Sequence, residues 1–261
     1  MAQAPIGAVD RLFDIIETIQ VQNGAGVSEL AAELDMAKST VHGHLATLKK
    51  RGYLVQDDAS RYHLSLKFLT LGGCVRQLRT IYSHVEPLLA EIASETGESV
   101  NYVIESQGKM TFVGSVLGEE GIRTEVDIGF RSDLHTTPEG KLILAHLPES
   151  RRRELLDEIE FPLGNSVGRA AFTAELDEIR EAGVAYGNET IIKNVTTVSV
   201  PVIDNEDTFY GAVVVAGPSL RFTADRVESV KETLLHKVGK LNIDLTYETP
   251  YSPVENRLET R

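Results

Sequence analysis

The chain has 261 residues, 42% of them hydrophobic and 25% charged, which is enough apolar material for one large or two small globular domains. No signal-peptide pattern is found, and the longest apolar runs, such as 211–217, are much shorter than a membrane span, so we expect a cytoplasmic protein without a membrane segment. The single cysteine, Cys74, excludes an internal disulfide and a cysteine-based metal site.

The formal net charge of −13 argues against a nucleic-acid partner until its distribution is considered. Residues 1–72 carry a net charge of −1 and residues 73–261 a net charge of −12. The window 36–56 contains four lysines or arginines and no acidic residue. This window is therefore a basic patch on an acidic chain. An acid surplus of this size is also found in salt-adapted proteins, including those of archaea.

Apolar residues at three- and four-residue steps predict a first helix over 8–20 and a short second helix over 28–34, with Ser28 as its N-cap. A turn at 35–37 leads to a third helix at about 39–51. Projected at about 100° per residue, this third helix places Val41, Leu45 and Leu48 on one side, where they face the first two helices. The arrangement is typical of a helix-turn-helix unit.

The opposite face of the third helix is small, polar and free of acid. Such a face can approach a groove floor, with hydroxyls, an imidazole and a lysine available for bases and phosphates. The alternative is an ordinary solvent-exposed helix face, which would more often be rich in glutamate. The candidate DNA contacts on and beside this helix are Lys38, Ser39, Thr40, His42, Gly43, Thr47, Lys50 and Arg51, with Ser28 on the second helix.

Two strand-like segments, 53–56 and 61–64, flank turn residues at 57–60 and predict a wing. Arg61 is expected near its tip. It either reaches the sugar-phosphate edge of DNA or is merely solvated, and the sequence leaves both alternatives open.

The stretch VSELAAELDMAKSTVHGHLATLKKRGYL, followed by RYHLSLKFLTLG, resembles the N-terminal domain of the IclR family of transcriptional regulators. The resemblance implies a winged helix-turn-helix DNA-binding domain over 1–64, a linker helix and hinge over 65–76, and dimers formed through the N-terminal domains. Family members commonly carry a large basic or polar residue where this chain has Gly43, so base preference does not transfer. Gly72 and Gly73 are the expected hinge, and Cys74 is expected to pack at the domain junction.

After an amphipathic helix at 75–96, alternation with a period of two predicts strands at 100–105, 110–117, 123–128, 196–203 and 209–216. Helices are predicted at about 138–147, 151–158, 173–183 and 223–242. The polar tail, 248–261, is expected to be disordered. Strand hairpins interleaved with helices indicate an α+β domain around a mainly antiparallel sheet.

The segments GFRSDLHTTPEGKLILAHLP, ELDEIREAGVAYGNE and VSVPVIDNEDTFYGAVVVAGPSLRFT also resemble the IclR family. They imply a GAF-like effector-binding and oligomerisation domain over 77–247, whose sheet holds a small molecule on its concave side. Pocket positions carried over from the family fall on Pro138, Glu139, Gly187, Asn188, Thr197, Val214 and Ala216. The polar loop at His135 and Thr136 either lines the pocket or caps the next helix.

The pocket positions depart from those of family members that bind small carboxylates. Two hydroxyl positions are aliphatic here, at Val214 and Ala216, and a carboxylate, Glu139, is added. Burying an anion opposite Glu139 is unfavourable unless the glutamate is protonated or turned outward. We therefore expect a ligand that is neutral, apolar or cationic, or no ligand at all.

No cofactor, metal site or catalytic constellation is expected. His42 and His44 point about 200° apart on one helix and cannot share an ion. Three classes of function remain. The first is a dimeric or tetrameric regulator that binds operator DNA and senses a small molecule; the second is an architectural DNA-binding protein with a non-sensing C-terminal domain; the third is an enzyme whose site the sequence does not reveal.

Overall fold

The structure is a computed structural model that describes residues 6–77, 81–122, 126–159 and 165–247. These form two compact units, Met1–Arg76 and Gln77–Arg261. The first unit begins with three helices and a two-stranded antiparallel sheet. Their bounds are Gly7–Val21 (α1), Val27–Glu33 (α2), Lys38–Lys50 (α3), Leu54–Gln56 (β1) and Tyr62–Leu64 (β2).

The core of the N-terminal unit follows the predicted helical pattern. Val41 and Leu45 of α3 are fully buried, and they pack with Ile15 and Ile19 of α1 and Leu30 of α2. Because a three-helix unit of this size has little surface to bury, these few side chains supply most of its hydrophobic stabilisation. The winged helix-turn-helix fold predicted from the sequence is confirmed.

Two local predictions in this unit are wrong. The N-cap of α2 is Gly26, not Ser28, which is exposed. The backbone N–H of Gly26 donates to Glu29 Oε2 at 2.9 Å, so a carboxylate three residues into the helix satisfies the helix start in place of a serine hydroxyl.

Gly72 and Gly73, the expected hinge, lie inside helix α4, Lys67–Gln77, which runs unbroken through both positions. A Cβ at either position would meet open space, so neither glycine is required by packing. The second wrong prediction concerns Cys74, which is exposed and therefore does not pack at a junction.

The C-terminal unit contains a six-stranded sheet in which every pair is antiparallel, in the order β5-β4-β3-β8-β7-β6. Its strands are Ser99–Ser106 (β3), Lys109–Val116 (β4), Arg131–Asp133 (β5), Ala185–Asn188 (β6), Val195–Ile203 (β7) and Phe209–Pro218 (β8). Its helices are Tyr82–Thr96 (α5), Pro138–His146 (α6), Glu149–Asp157 (α7), Asn165–Ala182 (α8) and Ala224–Tyr247 (α9).

Alternating side chains of the sheet enter two separate cores. Val213 and Val215 of β8 face α5 and α9, whereas Ala212 and Val214 face α6 and its neighbours. Because β8 lies between two helical layers, both of its faces are buried and its sequence is a nearly continuous apolar run. The predicted α+β class with an antiparallel sheet is confirmed.

Several predicted boundaries in this unit shift. The strand predicted at 123–128 lies partly outside the described residues, and 126–128 are not a strand. The short strands β5 and β6 were not predicted, and α8 begins eight residues earlier than expected. The predicted disordered tail, 248–261, lies outside the described residues. Within the described ranges, no helix is long and apolar enough to cross a membrane.

Candidate functional site

The outward face of α3 is fully accessible. Because the buried face lies against α1 and α2, the remaining side chains point away from the unit. The predicted contacts exposed on and next to this helix are Lys38, Ser39, Thr40, His42, Gly43, Thr47, Lys50 and Arg51. The structure therefore brings the predicted contacts of α3 onto one continuous acid-free surface.

The cations of this surface differ in their availability. In the described ranges, Lys38, Lys50 and Arg51 have no carboxylate partner for their side chains. Lys49 instead donates to Gln56 Oε1 at 2.8 Å, and Lys67 donates to the Arg51 carbonyl oxygen at 2.7 Å. Lys38, Lys50 and Arg51 are thus the cations that can meet phosphates without breaking an internal contact.

The structure defines the hydrogen bond of Thr47 and the space around Gly43 near the centre of α3. The Thr47 hydroxyl donates to the Gly43 carbonyl oxygen at 2.9 Å, so towards a partner outside the helix this hydroxyl oxygen can only accept. A Cβ built on Gly43 would meet nothing within 4 Å. Glycine is therefore not needed at position 43 for the fold.

Arg61 does not extend from the wing tip as either sequence-based alternative supposed. Its Nη1 donates to Glu29 Oε1 at 2.8 Å, and its Nη2 donates to the Gly24 carbonyl oxygen at 2.6 Å. Arg61 thus fastens the wing to the start of α2. The Gly26 N–H and the Arg61 guanidinium together hold the pKa of Glu29 below its usual range. The partner is 32 residues away in the chain, and no local pattern reveals it.

The C-terminal unit encloses a cavity of about 480 Å³ on the face of the sheet that carries α6. This volume lies within the range of about 300–1,000 Å³ that is typical of small-molecule sites. Polar and apolar side chains share its wall. The lining residues are Ser99, Asn101, Phe112, Ser115, Leu117, Ile122, Val126, Asp127, Glu139, Thr190, Ile191, Ile192, Val195, Thr197, Val214 and Ala216.

Glu139 is the most unusual group in this wall, since it is 1% exposed and ionisable. Its Oε1 accepts a hydrogen bond from the Thr197 hydroxyl, while its Oε2 has no hydrogen-bond partner. Burial raises the pKa of Glu139, and the hydrogen bonds to its carboxylate, the one from Thr197 foremost, only partly oppose this rise. A buried carboxylate with an unused oxygen is a strong acceptor for whatever occupies the cavity.

The predicted pocket residues divide into two groups. Glu139, Thr197, Val214 and Ala216 line the cavity. The others do not line the cavity: His135, Thr136, Pro138, Gly187 and Asn188. A Cβ at Gly187 would lie 2.2 Å from Oγ1 of the lining residue Thr197.

The loop before α6 performs the capping role that the sequence left open. The Thr137 hydroxyl accepts a hydrogen bond from the Gly140 N–H at 3.0 Å and caps α6, with Pro138 in the first turn. Thr136, which is exposed, donates to the Asp133 carbonyl oxygen. The loop therefore caps α6 and contributes no residue to the cavity wall.

Sequence reasoning missed several lining residues. Ser99 and Asn101 project from β3, and Asp127 and Thr190 come from loops. The two polar residues at alternate positions of an otherwise apolar strand were a usable signal, because a buried strand face seldom carries them without a purpose. The loop residues had no such signal. In the part of the chain that is described, no cluster of His, Cys, Asp and Glu could hold a metal ion.

Comparison with known proteins supplies matches for both units. A family model described as the IclR helix-turn-helix domain matches residues 8–58, and one described as "Bacterial transcriptional regulator IclR C-terminal" matches residues 75–242. "Probable HTH-type transcriptional regulator ArcR" of Halobacterium salinarum is 32% identical over 222 residues, covering 83% of this chain and 84% of that protein. BhcR of Paracoccus denitrificans is 29% identical over 244 residues, covering 92% and 88%.

Solved structures share the fold over nearly the whole chain. The Thermotoga maritima IclR has a TM-score of 0.72 at 26% identity and covers 92% of this chain and 99% of its own. An IclR homolog from Microbacterium hydrocarbonoxydans, complexed with 4-hydroxybenzoate, has a TM-score of 0.69 at 18% identity and covers 90% and 98%. At that identity the likeness concerns the fold alone.

Proposed function

The chain belongs to the IclR family of transcriptional regulators, and we propose on this premise that it binds operator DNA through the acid-free face of α3 under the control of a non-carboxylate ligand. It is a DNA-binding transcription regulator with a C-terminal effector-binding domain, not an enzyme. We assign residues 1–64 to DNA binding, 65–76 to the linker helix and 77–247 to effector binding. Because its target is chromosomal DNA, we place it in the cytoplasm.

The observation that carries this proposal is the exposed face of α3. On a chain of net charge −13, this surface presents Lys38 and Lys50 without carboxylate partners in the described ranges. The lysines fit phosphates, and His42 and Thr47 fit base edges. Thr47 would accept from a base amino group, because its own proton is already donated to Gly43. Arg61 supports the wing instead of contacting DNA.

Dimerisation fits the surface of the N-terminal unit. Phe13 of α1 is 57% exposed, and Leu69 and Val75 of α4 are 69% and 62% exposed. Large apolar side chains along two helices favour burial against a second copy. A symmetric dimer would place two α3 helices on half-sites about one helical turn of DNA apart. We further infer that dimers pair into tetramers through their C-terminal units.

The effector is not a simple small carboxylate. Glu139 and Asp127 both line the cavity, and no lysine, arginine or histidine is among the described lining residues. An anionic ligand would therefore be buried beside carboxylates without a compensating cation. The Microbacterium homolog is complexed with 4-hydroxybenzoate, and that ligand is not carried over to this chain. A thermal-shift screen in which pyruvate and benzoate alone stabilise the full chain would contradict this part of the proposal.

Footprinting of the full-length chain on its own promoter region tests DNA recognition. We expect protection of a defined, two-fold symmetric sequence. Lys50→Ala should weaken binding to all sequences and reduce the salt slope by about one. His42→Ala should change sequence preference, and Lys240→Ala, which removes an exposed lysine from α9, should leave binding unchanged.

Protection without a defined sequence would instead favour an architectural DNA-binding protein. Equal effects of Lys50→Ala and His42→Ala on every sequence would mean that our orientation of α3 is wrong.

A further inference from the structure

The cavity wall contains an unfilled hydrogen-bonding position at Glu139. Glu139 is a lining residue and is 1% exposed. Its Oε1 accepts from the Thr197 hydroxyl, and its Oε2 is buried without a hydrogen-bond partner. A buried carboxylate oxygen without a donor is unfavourable, because it has lost water and gained nothing in return. A ligand that brings a donor to Oε2 removes this cost.

The surrounding sequence holds Glu139 in this position. Gly187 lies opposite Thr197 in the β6–β7 pair. A Cβ at position 187 would come within 2.2 Å of Thr197 Oγ1 and 3.1 Å of Glu139 Oε1, so any larger residue would push the pair apart. Glu139 also occupies the first turn of α6, where the helix dipole favours a negative charge. The packing therefore fixes the position of the carboxyl group, and the helix start favours its ionised form against the effect of burial, which raises its pKa.

The charge of the remaining wall has the same sign. Asp127 is the other ionisable side chain among the described lining residues. Asn101, Ser115 and Thr190 offer oxygens that can accept hydrogen bonds, and Phe112 and Val214 belong to a broad apolar section. Such a wall suits a ligand that donates from one charged end and presents an apolar body to the rest.

We propose that the ligand of this cavity is an organic cation, a protonated amine on an apolar body, whose ammonium group donates to Glu139 Oε2. The proposal rests on the regulatory function given above and narrows its effector to one chemical class. The ammonium replaces the missing donor and neutralises the buried charge. A neutral ligand of the same shape gains only the burial of its apolar body.

The same geometry predicts how binding depends on pH. Burial raises the pKa of Glu139, and a bound ammonium would lower it again. Binding therefore releases a proton wherever Glu139 is protonated in the free protein, and affinity increases as the pH rises through the folded-state pKa of Glu139. Asp127 is the other ionisable group among the described residues that line the cavity.

Calorimetry on the full-length chain with matched probes tests the proposal. Benzylamine, benzyl alcohol and benzoate share an apolar body and differ in charge, and cyclohexylamine and n-hexylamine vary the body of the cation. We expect the amines to bind, with at least one roughly tenfold to hundredfold tighter than benzyl alcohol, the range for a charge-assisted hydrogen bond. Benzoate should not bind.

Variants of the lining residues locate the binding site, and retained binding of benzyl alcohol shows that a variant is folded. Glu139→Gln should abolish the advantage of benzylamine over benzyl alcohol while leaving benzyl alcohol binding intact, and Asp127→Asn should weaken the amine by less. Glu178→Gln removes one charge from the exposed face of α8 and should change nothing. Equal binding of amine and alcohol, binding of benzoate, binding of no amine in the panel, or an amine affinity unaffected by Glu139→Gln would each overturn the proposal.

Footprinting of the Glu139→Gln protein separates this proposal from the proposed function. We expect the Glu139→Gln protein to protect the same operator sequence as the parent chain. This result would show that the substitution affects ligand recognition alone. Loss of operator binding by the parent chain itself would refute the regulatory function. Intact operator binding together with failed amine binding would refute only the ligand class.

Discussion

The substitution Gly43→Ala separates the stability of α3 from its proposed contact with DNA. A Cβ at position 43 meets no atom within 4 Å in the folded unit, so the methyl group costs no packing energy. Alanine is preferred over glycine in a helix interior by about 0.8–1 kcal/mol. We therefore expect the free energy of unfolding of the N-terminal unit to increase by about this amount, which is about 4–8 °C in its midpoint.

The same methyl group should weaken operator binding. If Gly43 lies against the groove floor, an added carbon forces α3 away from the bases, at a cost of about 1–3 kcal/mol, the range for overpacking a close contact. Thermal unfolding and footprint titration of the variant measure the two effects separately. Gly239→Ala is the matched control, because this glycine of α9 also has open space around its Cβ position.

Two outcomes would refute this reasoning. A less stable Gly43→Ala protein would mean that the face of α3 is not open. Unchanged operator affinity, with the expected gain in stability, would mean that α3 does not bring position 43 close to DNA. Gly239→Ala should raise stability in its own unit and leave operator affinity as it is.

Three further predictions concern the C-terminal unit. Gly187→Ala should destabilise the C-terminal unit by about 1–3 kcal/mol, measured by urea unfolding, because its Cβ would overlap Thr197 Oγ1; a stabilised variant would contradict the geometry. Glu139→Gln should flatten the pH dependence of stability. Burial raises the folded-state pKa of Glu139, so the parent chain loses stability as the pH rises from the ordinary glutamate pKa to the raised value. Parallel curves of stability against pH for the parent and the variant would disprove this. Thr137→Ala should cost about 1 kcal/mol in urea unfolding through loss of the α6 cap, and Thr137→Ser should restore it.

Local sequence patterns were sufficient for most of the fold. The spacing of Val41, Leu45 and Leu48 determined which face of α3 is buried, because a helix brings residues three and four apart onto one side. The turn between the predicted strands 100–105 and 110–117 is equally local, since Gln107 and Gly108 both adopt positive φ there. Strands β5 and β6, of three and four residues, were not predicted, whereas the equally short β1 and β2 were, because turn residues between them indicated a hairpin.

The sites depended on the tertiary structure to a much greater extent. The residue types on α3 and the added carboxylate at Glu139 were evident from the sequence, and so was the conflict between that carboxylate and an anionic ligand. The partners were not. Arg61 meets Glu29 across 32 residues, and Glu139 meets Thr197 across 58.

The physical reason is that periodicity records only which side of an element is buried. A hydrogen bond between distant elements depends on how those elements pack, to within a few tenths of an ångström. The sequence by itself therefore determined a basic recognition helix and a buried acid in a ligand-binding domain. Only the tertiary structure decided that Arg61 is held by an internal contact and that one oxygen of the buried Glu139 side chain has no hydrogen-bond partner.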